Sequence, residues 1–190
     1  MQNLNEIIEK CKKNDRNAQK ILYDVYSPVM YGLCLRYVSE KSEASDILQE
    51  GFLKILTKIT DYTGKGSFEG WMKRVIINTA ITSYHKNKKF NFNLDINEIN
   101  ENKIEGNSNY DSQDFTIEEL ENVIKTLPTG YKIVFNMFAI EGYKHKEIAE
   151  ELGIDENTSK SQFLRARKVI QHKLEELSKI KIHDKERIKY

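Results

Sequence analysis

The chain is poor in the residue that helices tolerate least. Only two prolines, Pro28 and Pro128, occur in 190 residues, and a proline inside a helix removes a hydrogen bond and clashes with the preceding turn. A mostly helical chain is therefore expected. Hydrophobic residues make up 39% and charged residues 31%, which predicts small packed cores beneath a large charged surface.

Long apolar runs and clustered metal ligands are missing as well. No stretch approaches the roughly 18 apolar residues that cross a bilayer, and the polar start MQNLNEIIEK is unlike a secretory signal, so no membrane insertion is predicted. The two cysteines, Cys11 and Cys34, lack C-x-x-C spacing, which favours a reducing, cytoplasmic setting. The four histidines form no i,i+4 pair and no cluster with cysteine, so neither a metal site nor a cofactor is predicted.

Charge is distributed unevenly along the chain. Residues 1–89 hold 15 basic and 10 acidic side chains, a balance of +5, whereas residues 90–127 hold 2 and 9, a balance of −7. Residues 128–190 hold 13 and 10, a balance of +3. Two basic blocks that flank an acidic segment indicate a polyanion partner.

Apolar periodicity divides the chain into two helical blocks. In the first block, helical spacing recurs at Leu22, Val25, Val29 and Leu33. A following helix is predicted to begin at an N-cap, Ser42. The polar, acidic segment 90–115 predicts a flexible linker, after which Thr116 and Glu119 predict a capping box. The domains are therefore expected at 1–89 and 116–178, with a basic tail at 179–190.

Residues 142–174 have the spacing of a helix-turn-helix. Ala149 is small where two helices would cross, Gly153 follows where a tight turn favours a positive φ, and Asp155 can cap the second helix. The exposed face of that helix is predicted to carry Ser159, Lys160, Gln162, Arg165, Arg167 and Lys168. Such a face suits the major groove of DNA, although an ordinary helical hairpin with a solvated cationic face has the same composition.

The first block contains a second constellation of polar residues. Asp46, Gln49 and Glu50 share one helix face, because spacings of three and four coincide there; a plain amphipathic helix with a solvated acidic face is the alternative. A loop with Gly64 and Gly66 follows, and then a helix that ends in the basic stretch HKNKK.

Two stretches resemble regions 2 and 4 of the extracytoplasmic-function (ECF) sigma factors of the sigma-70 family. The region 2 pattern has a D-x-x-Q-E helix, F-x-x-W-[LM], an R-[IV] pair, an N-x-[AL] step and a basic tail. The residues that match it are Asp46, Gln49, Glu50, Phe52, Phe68, Trp71, Met72, Arg74, Val75, Asn78, Lys86, Lys88 and Lys89. In the region 4 pattern, Thr158, Ser161 and the Arg165-Ala166-Arg167 step are in register.

The resemblance implies an all-α, two-domain initiation factor that gives RNA polymerase its promoter specificity and catalyses nothing itself. Domain 1–89 would dock on core RNA polymerase and bind the minus-10 element, and domain 116–178, with its helix-turn-helix, would read the minus-35 element. Asp46, Gln49 and Glu50 would contact the clamp helices of the largest subunit, with the polymerase flap as a further contact. An anti-sigma factor, often membrane-spanning in the family, is a further implied partner.

The resemblance also assigns two sets of residues to promoter DNA. The set for the minus-10 element, which includes a loop that receives a flipped base, is Tyr62, Gly64, Lys65, Gly66, Phe68, Arg74, Asn78, Lys86, Lys88 and Lys89. The set for the minus-35 duplex is Thr158, Ser159, Lys160, Gln162, Arg165, Arg167 and Lys168. For the loop, a plain helix–helix turn in which Phe68 caps the core stays open, and Trp71 is expected to pack in the core.

Two other classes of protein compete with this interpretation. A stand-alone helix-turn-helix regulator needs a ligand-binding or dimerising N-terminal part, and it leaves the D-x-x-Q-E helix unexplained. An enzyme needs convergent carboxylates or metal ligands, and the sequence has no such cluster.

Overall fold

The computed structural model describes residues 3–90 and 115–187, with side chains as far as residue 86 in the first range and residue 181 in the second. All regular structure in these two ranges is helical, which confirms the predicted all-α class. The chain divides into two compact units, Met1–Phe90 and Asn91–Tyr190. Of the predicted linker, 90–115, residues 91–114 lie outside the described residues.

The N-terminal unit is built from four helices and a short turn. They are α1 (Leu4–Lys12), α2 (Arg16–Tyr37), α3 (Lys41–Thr57), a 3₁₀ turn (Ile59–Asp61) and α4 (Phe68–Phe90). Helices α2, α3 and α4 all pack against one another, while α1 packs on α2 and on the 3₁₀ turn. Asp15 begins α2, because its Oδ1 accepts a hydrogen bond from the Ala18 N–H at 2.8 Å.

The buried face of α2 differs from the one that periodicity predicted. Leu22 and Leu33 are buried as expected, but Val25 is 60% and Val29 48% exposed. The buried face is centred on Met30, Leu33, Cys34 and Tyr37, which follow one another at helical spacing. An amphipathic helix buries only one stripe of its surface, and Val25 and Val29 lie outside that stripe, on the side that faces solvent.

The start of α3 also corrects a prediction. The helix begins at Lys41, with Glu40 at the N-cap position and no side-chain cap hydrogen bond. Ser42 therefore lies within the first turn and does not cap the helix. Further along α3, Gly51 is buried against α4, where a Cβ on Gly51 would collide with Cδ1 of Ile76.

The described part of the C-terminal unit, residues 115–187, contains four helices. They are α5 (Ile117–Lys125), α6 (Thr129–Phe135), which continues into a π-helical turn (Asn136–Ile140), α7 (His145–Leu152) and α8 (Glu156–Arg187). The predicted capping box is present: Thr116 Oγ1 accepts from the Glu119 N–H at 3.2 Å, and Glu119 Oε2 accepts from the Thr116 N–H at 2.8 Å. One core cluster of the unit joins Leu127, Ala166 and Val169.

Helix α8 is longer than the sequence indicated. Residues 179–190 were assigned to a basic tail, whereas α8 continues to Arg187. Two lysines of α8 reach α5 and its start: Lys173 Nζ donates to Thr126 Oγ1 at 2.7 Å, and Lys181 Nζ lies 2.8 Å from Glu119 and 5.1 Å from the centroid of the Phe115 ring. These contacts give α8, as far as Lys181, a partner in α5 that composition alone did not reveal.

The corrected face of α2 predicts different effects for two truncations. Leu33→Ala should lower the free energy of unfolding of the N-terminal unit by about 2–5 kcal/mol, because it leaves a cavity in a packed core. Val25→Ala should change it by less than about 0.5 kcal/mol, because Val25 is exposed. Urea denaturation of the full chain, followed by fluorescence of Trp71, the only tryptophan, measures both. Equal losses would contradict the face described here.

Candidate functional site

The predicted acidic face of α3 is present and exposed. Asp46, Gln49 and Glu50 all lie on the solvent side of the helix. Lys54 binds Glu50 at 2.7 Å, and this hydrogen bond lowers the pKa of the Glu50 carboxyl below its ordinary value. Leu53, which is 67% exposed, extends the same face. Leu53 was not among the predicted residues, although its spacing of seven from Asp46 places it on the same side of the helix.

Helix α4 is joined to this face by hydrogen bonds. Lys54 Nζ donates to Thr79 Oγ1 at 3.3 Å, and Thr79 is buried. Ser83 Oγ donates to Glu43 Oε1 at 3.1 Å at the other end of the helix pair. The orientation of α4 is therefore fixed by polar contacts to α3 as well as by apolar packing.

The loop between the 3₁₀ turn and α4 is braced from within. Gly64 and Gly66 have φ values of 80° and 82°, which favour glycine. The Tyr62 hydroxyl donates to the Gly66 carbonyl at 2.9 Å, and Ser67 Oγ accepts from the Gly70 N–H at 3.0 Å at the start of α4. Residues 63–67 are all exposed, so Lys65 projects from a loop of defined shape.

An aromatic cluster closes the base of this loop and corrects one site prediction. Phe68 is buried, with its ring centroid 5.0 Å from Tyr62, 5.5 Å from Trp71 and 6.2 Å from Tyr26. Phe68 thus packs in the core, as in the alternative interpretation, and presents no face to a base. Trp71 was expected in the core, but it is only half-buried, and together with the half-buried Tyr62 it forms the accessible aromatic surface.

The remaining residues predicted to meet the minus-10 element lie on α4. Arg74 is exposed and Asn78 is half-buried one turn later. The Oδ1 atom of Asn78 is buried and accepts no hydrogen bond from the described residues. Lys86 is exposed and is the last residue of this unit whose side chain is described. The side chains of Lys88 and Lys89 are outside the described part of the chain.

The helix-turn-helix is formed by α7 and α8 as predicted. Gly153 ends α7 in the left-handed conformation, with φ 63° and ψ 38°, and the Ile154 N–H donates to the Ala149 carbonyl at 3.0 Å. Asp155 Oδ1 accepts from the Asn157 N–H at 2.7 Å at the start of α8. Because the turn and the cap are both satisfied, the angle between the two helices is well defined.

The outer face of α8 brings together most of the residues predicted to meet the minus-35 duplex. Lys160, Arg165, Arg167 and Lys168 are exposed, whereas Thr158 and Gln162 are half-buried. Leu164 is 55% exposed and lies among these cations. It escaped the sequence analysis because a leucine in an amphipathic helix is expected to face the core.

Ser159 is not on that face, which corrects a second site prediction. Its side chain is fully buried, and its Oγ lies 3.0 Å from Nδ1 of His145 at a hydrogen-bonding distance. The His145 ring stacks on Phe138 at 4.2 Å with an angle of 12° between the rings, and it meets the edge of Phe163 at 5.9 Å. A serine three residues after the start of α8 turns inward because α7 occupies that side.

The environment of His145 favours its neutral form. Burial lowers the pKa of His145, and the nearby Lys160 ammonium lowers it further, while the Glu156 carboxylate acts in the opposite direction. Lys160 and Glu156 are themselves paired at 2.7 Å. At neutral pH an uncharged imidazole therefore faces the Ser159 hydroxyl.

Within the described residues, no group of three or more His, Cys, Asp or Glu side chains could hold a metal ion. No helix in that part of the chain is long and apolar enough to cross a membrane.

Comparison with known proteins assigns both units to one family. The family models for Sigma-70 region 2 and for Sigma-70, region 4 match residues 22–90 and 117–170. The chain is 29% identical over 186 residues to the ECF RNA polymerase sigma-E factor of Haemophilus influenzae, covering 90% of this chain and 95% of that protein. It is 29% identical over 183 residues to the ECF RNA polymerase sigma factor SigW of Bacillus subtilis, covering 90% and 96%.

The chain belongs to the ECF sigma factors of the sigma-70 family. Its function is that of an RNA polymerase sigma factor, which binds core polymerase and promoter DNA and directs transcription initiation. The family is non-enzymatic, and no enzymatic family is indicated. The structure of the sigma factor RpoE with the anti-sigma factor NepR from Bartonella quintana supports the fold, with a TM-score of 0.52 and 17% identity over 82% of this chain and 96% of that one.

The half-buried imidazole of His145 predicts a pH-dependent stability of the sigma factor. The unfolded chain protonates His145 near pH 6.5, whereas the folded chain resists protonation. This contribution to stability is therefore complete above about pH 6.5 and is lost as pH falls from there through the lowered pKa of the folded state. As pH is lowered from 8 to 5, the free energy of unfolding of the full chain should fall less for His145→Phe than for the natural protein, as measured by urea denaturation. His172→Phe, on the outer part of α8, is the matched control, and an unchanged fall for His145→Phe would contradict the assignment.

Proposed function

We propose that the two units of this sigma factor divide promoter recognition between them. Residues 1–89 bind core polymerase and the melted minus-10 strand, and residues 116–178 read the minus-35 duplex. The observation that carries this division is the outer face of α8. This helix is the second of the helix-turn-helix, its start is capped by Asp155, and exposed cations line its outer face. A linker at residues 90–115 joins the two activities.

The acidic face of α3 is the proposed polymerase-docking surface. Asp46, Gln49 and Glu50 supply charge and hydrogen bonds, and the exposed Leu53 supplies an apolar centre. A small apolar patch with a polar rim is the usual composition of a protein interface, and the acidic rim favours a cationic partner. We assign this face to the clamp helices of the largest subunit and assign the C-terminal unit a further contact with the flap.

Removal of the two acids should weaken docking without unfolding the protein. Asp46→Ala with Glu50→Ala should lower retention by core RNA polymerase that lacks a sigma subunit by at least about fivefold in a pull-down, because both residues are exposed on one face. Glu6→Ala with Glu9→Ala is the matched control, since these exposed acids also pair with lysines one turn away. Normal retention of the Asp46/Glu50 variant would assign the face to solvent.

The same pull-down distinguishes this sigma factor from a stand-alone regulator. If the natural protein failed to bind core polymerase but bound free promoter duplex, the division of labour proposed above would be wrong. Binding to polymerase, followed by initiation from a genomic promoter library at paired upstream elements, would support it and reveal the sequence of both elements.

The loop and α4 form the proposed minus-10 site. Tyr62 and Trp71 offer partly exposed rings on which an extruded base can stack, and Gly64 and Gly66 permit close approach of the backbone. Phe68 supports these rings from within. The donors and cations that the sequence assigns to the same DNA element are Lys65, Arg74, Asn78, Lys86, Lys88 and Lys89.

The outer face of α8 is the proposed minus-35 site. Its polar members, after the removal of Ser159, are Thr158, Lys160, Gln162, Arg165, Arg167 and Lys168. Arginine and glutamine can read base edges, while lysine neutralises phosphates. Leu164 adds an apolar contact among them, and the only apolar group that a base presents in the major groove is the thymine methyl.

Leu164 therefore predicts recognition of a thymine methyl in the upstream element. Replacement of single thymines by deoxyuridine removes only that methyl group, and one such position should lower initiation by about threefold or more. Leu164→Ala should abolish the difference between thymine and deoxyuridine at that position while leaving the effect of other base changes. If no thymine position distinguished the two bases, Leu164 would not contact a base.

The remaining features of the proposal concern partners and location. We assign an anti-sigma factor to this chain as a partner, by analogy with RpoE, whose structure contains one. We place the protein in the cytoplasm, where polymerase and promoter DNA are found. We assign it no catalytic activity, metal or cofactor of its own.

A further inference from the structure

We propose that His145 and Ser159 are positioning residues that set the minus-35 specificity of α8. The inference rests on the proposed reading of the minus-35 element by the C-terminal unit. His145 is the first residue of α7, and Ser159 lies in the first turn of α8. Their hydrogen bond, 3.0 Å between Nδ1 and Oγ, directly connects the two helices of the helix-turn-helix.

The imidazole is held in a fixed orientation. Its ring lies flat on Phe138, which belongs to the π-helical turn before α7, and against the edge of Phe163, which belongs to α8. Phe138 and Phe163 also contact each other, with centroids 4.6 Å apart. Because aromatic rings constrain the imidazole on two sides, Nδ1 can point in few directions.

The buried hydroxyl of Ser159 also restricts the position of α8 relative to α7. Ser159 is fully buried, and a buried hydroxyl that loses its partner incurs a desolvation penalty. A neutral imidazole satisfies it in either tautomer, since the hydroxyl can donate to Nδ1 or accept from Nδ1–H. A shift of α8 along α7 would break this bond, whereas two apolar side chains would tolerate such a shift.

The hydrogen bond lies beneath the residues proposed to meet DNA. Thr158 and Lys160 flank Ser159 in sequence, and Gln162 follows one turn later. Binding sites lose function when their contacts move by about 1 Å. The pair therefore fixes the distance of these side chains from the base edges, although neither His145 nor Ser159 faces the DNA.

The test measures promoter discrimination by the full-length protein in polymerase holoenzyme. Discrimination is the ratio of initiation from the preferred upstream element to initiation from the same promoter with that element scrambled. Ser159→Ala and His145→Phe should each lower this ratio by about five- to tenfold. The double variant should resemble either single variant, because both remove the same interaction. Arg165→Ala is the reference for loss of a direct DNA contact.

A second pair of variants separates positioning from folding. Asn at position 145 can place a polar atom near the site of Nδ1, whereas Gln places one near the site of Nε2. His145→Asn should therefore retain more discrimination than His145→Gln at similar thermal stability.

Equal discrimination ratios for these two variants would overturn the inference, even if Ser159→Ala proved unstable. Unchanged ratios for Ser159→Ala and His145→Phe, with a lowered ratio for Arg165→Ala, would overturn it and leave the proposed function intact. If Arg165→Ala also left the ratio unchanged, the proposed minus-35 reading itself would fail.

Discussion

Gly51 of α3 packs directly against α4, where Ile76 fills the space that a side chain at position 51 would need. The rest of the N-terminal unit depends on this close approach. It brings Lys54 within reach of the buried Thr79, and it holds the helix with the acidic face against the helix that carries Arg74 and Asn78. Two surfaces of different chemistry are thus built on one rigid pair of helices.

In the C-terminal unit, one long helix has a comparable role. Helix α8 packs against α5, α6 and α7, contributes Ala166 and Val169 to the core, and presents cations on its outer face. Its first turn is held by a polar contact to α7, and its far end is held by α5. Because the helix is anchored at several points along its length, the outer face has a defined position relative to the rest of the unit.

Local signals in the sequence predicted the parts of the fold that depend on neighbouring residues. The Thr116–Glu119 capping box, the left-handed Gly153 and the Asp155 cap each follow from the backbone chemistry of a few adjacent residues, and all three are present. The resemblance to sigma regions 2 and 4 then supplied the family, which the comparisons confirmed.

The errors among the site residues and the apolar faces concern which side of a helix meets another element. Ser159 and Phe68 were assigned to DNA, yet both are buried, because α7 covers one and an aromatic cluster covers the other. Four apolar side chains are exposed for the opposite reason, because no neighbouring element covers them. They are Val25, Val29, Leu53 and Leu164. Periodicity identifies a helix and its hydrophobic stripe, but it does not specify which residues of the helix the neighbouring element covers.

The carboxylate of Glu119 joins two distant parts of the chain. It accepts from the backbone that begins α5 and also binds Lys181, whose ammonium lies over the Phe115 ring. The start of α5 and residue 181 of α8 therefore share one anchor, although they lie 62 residues apart in sequence. Fraying of the first turn of α5 must break this contact with α8 as well as the capping box.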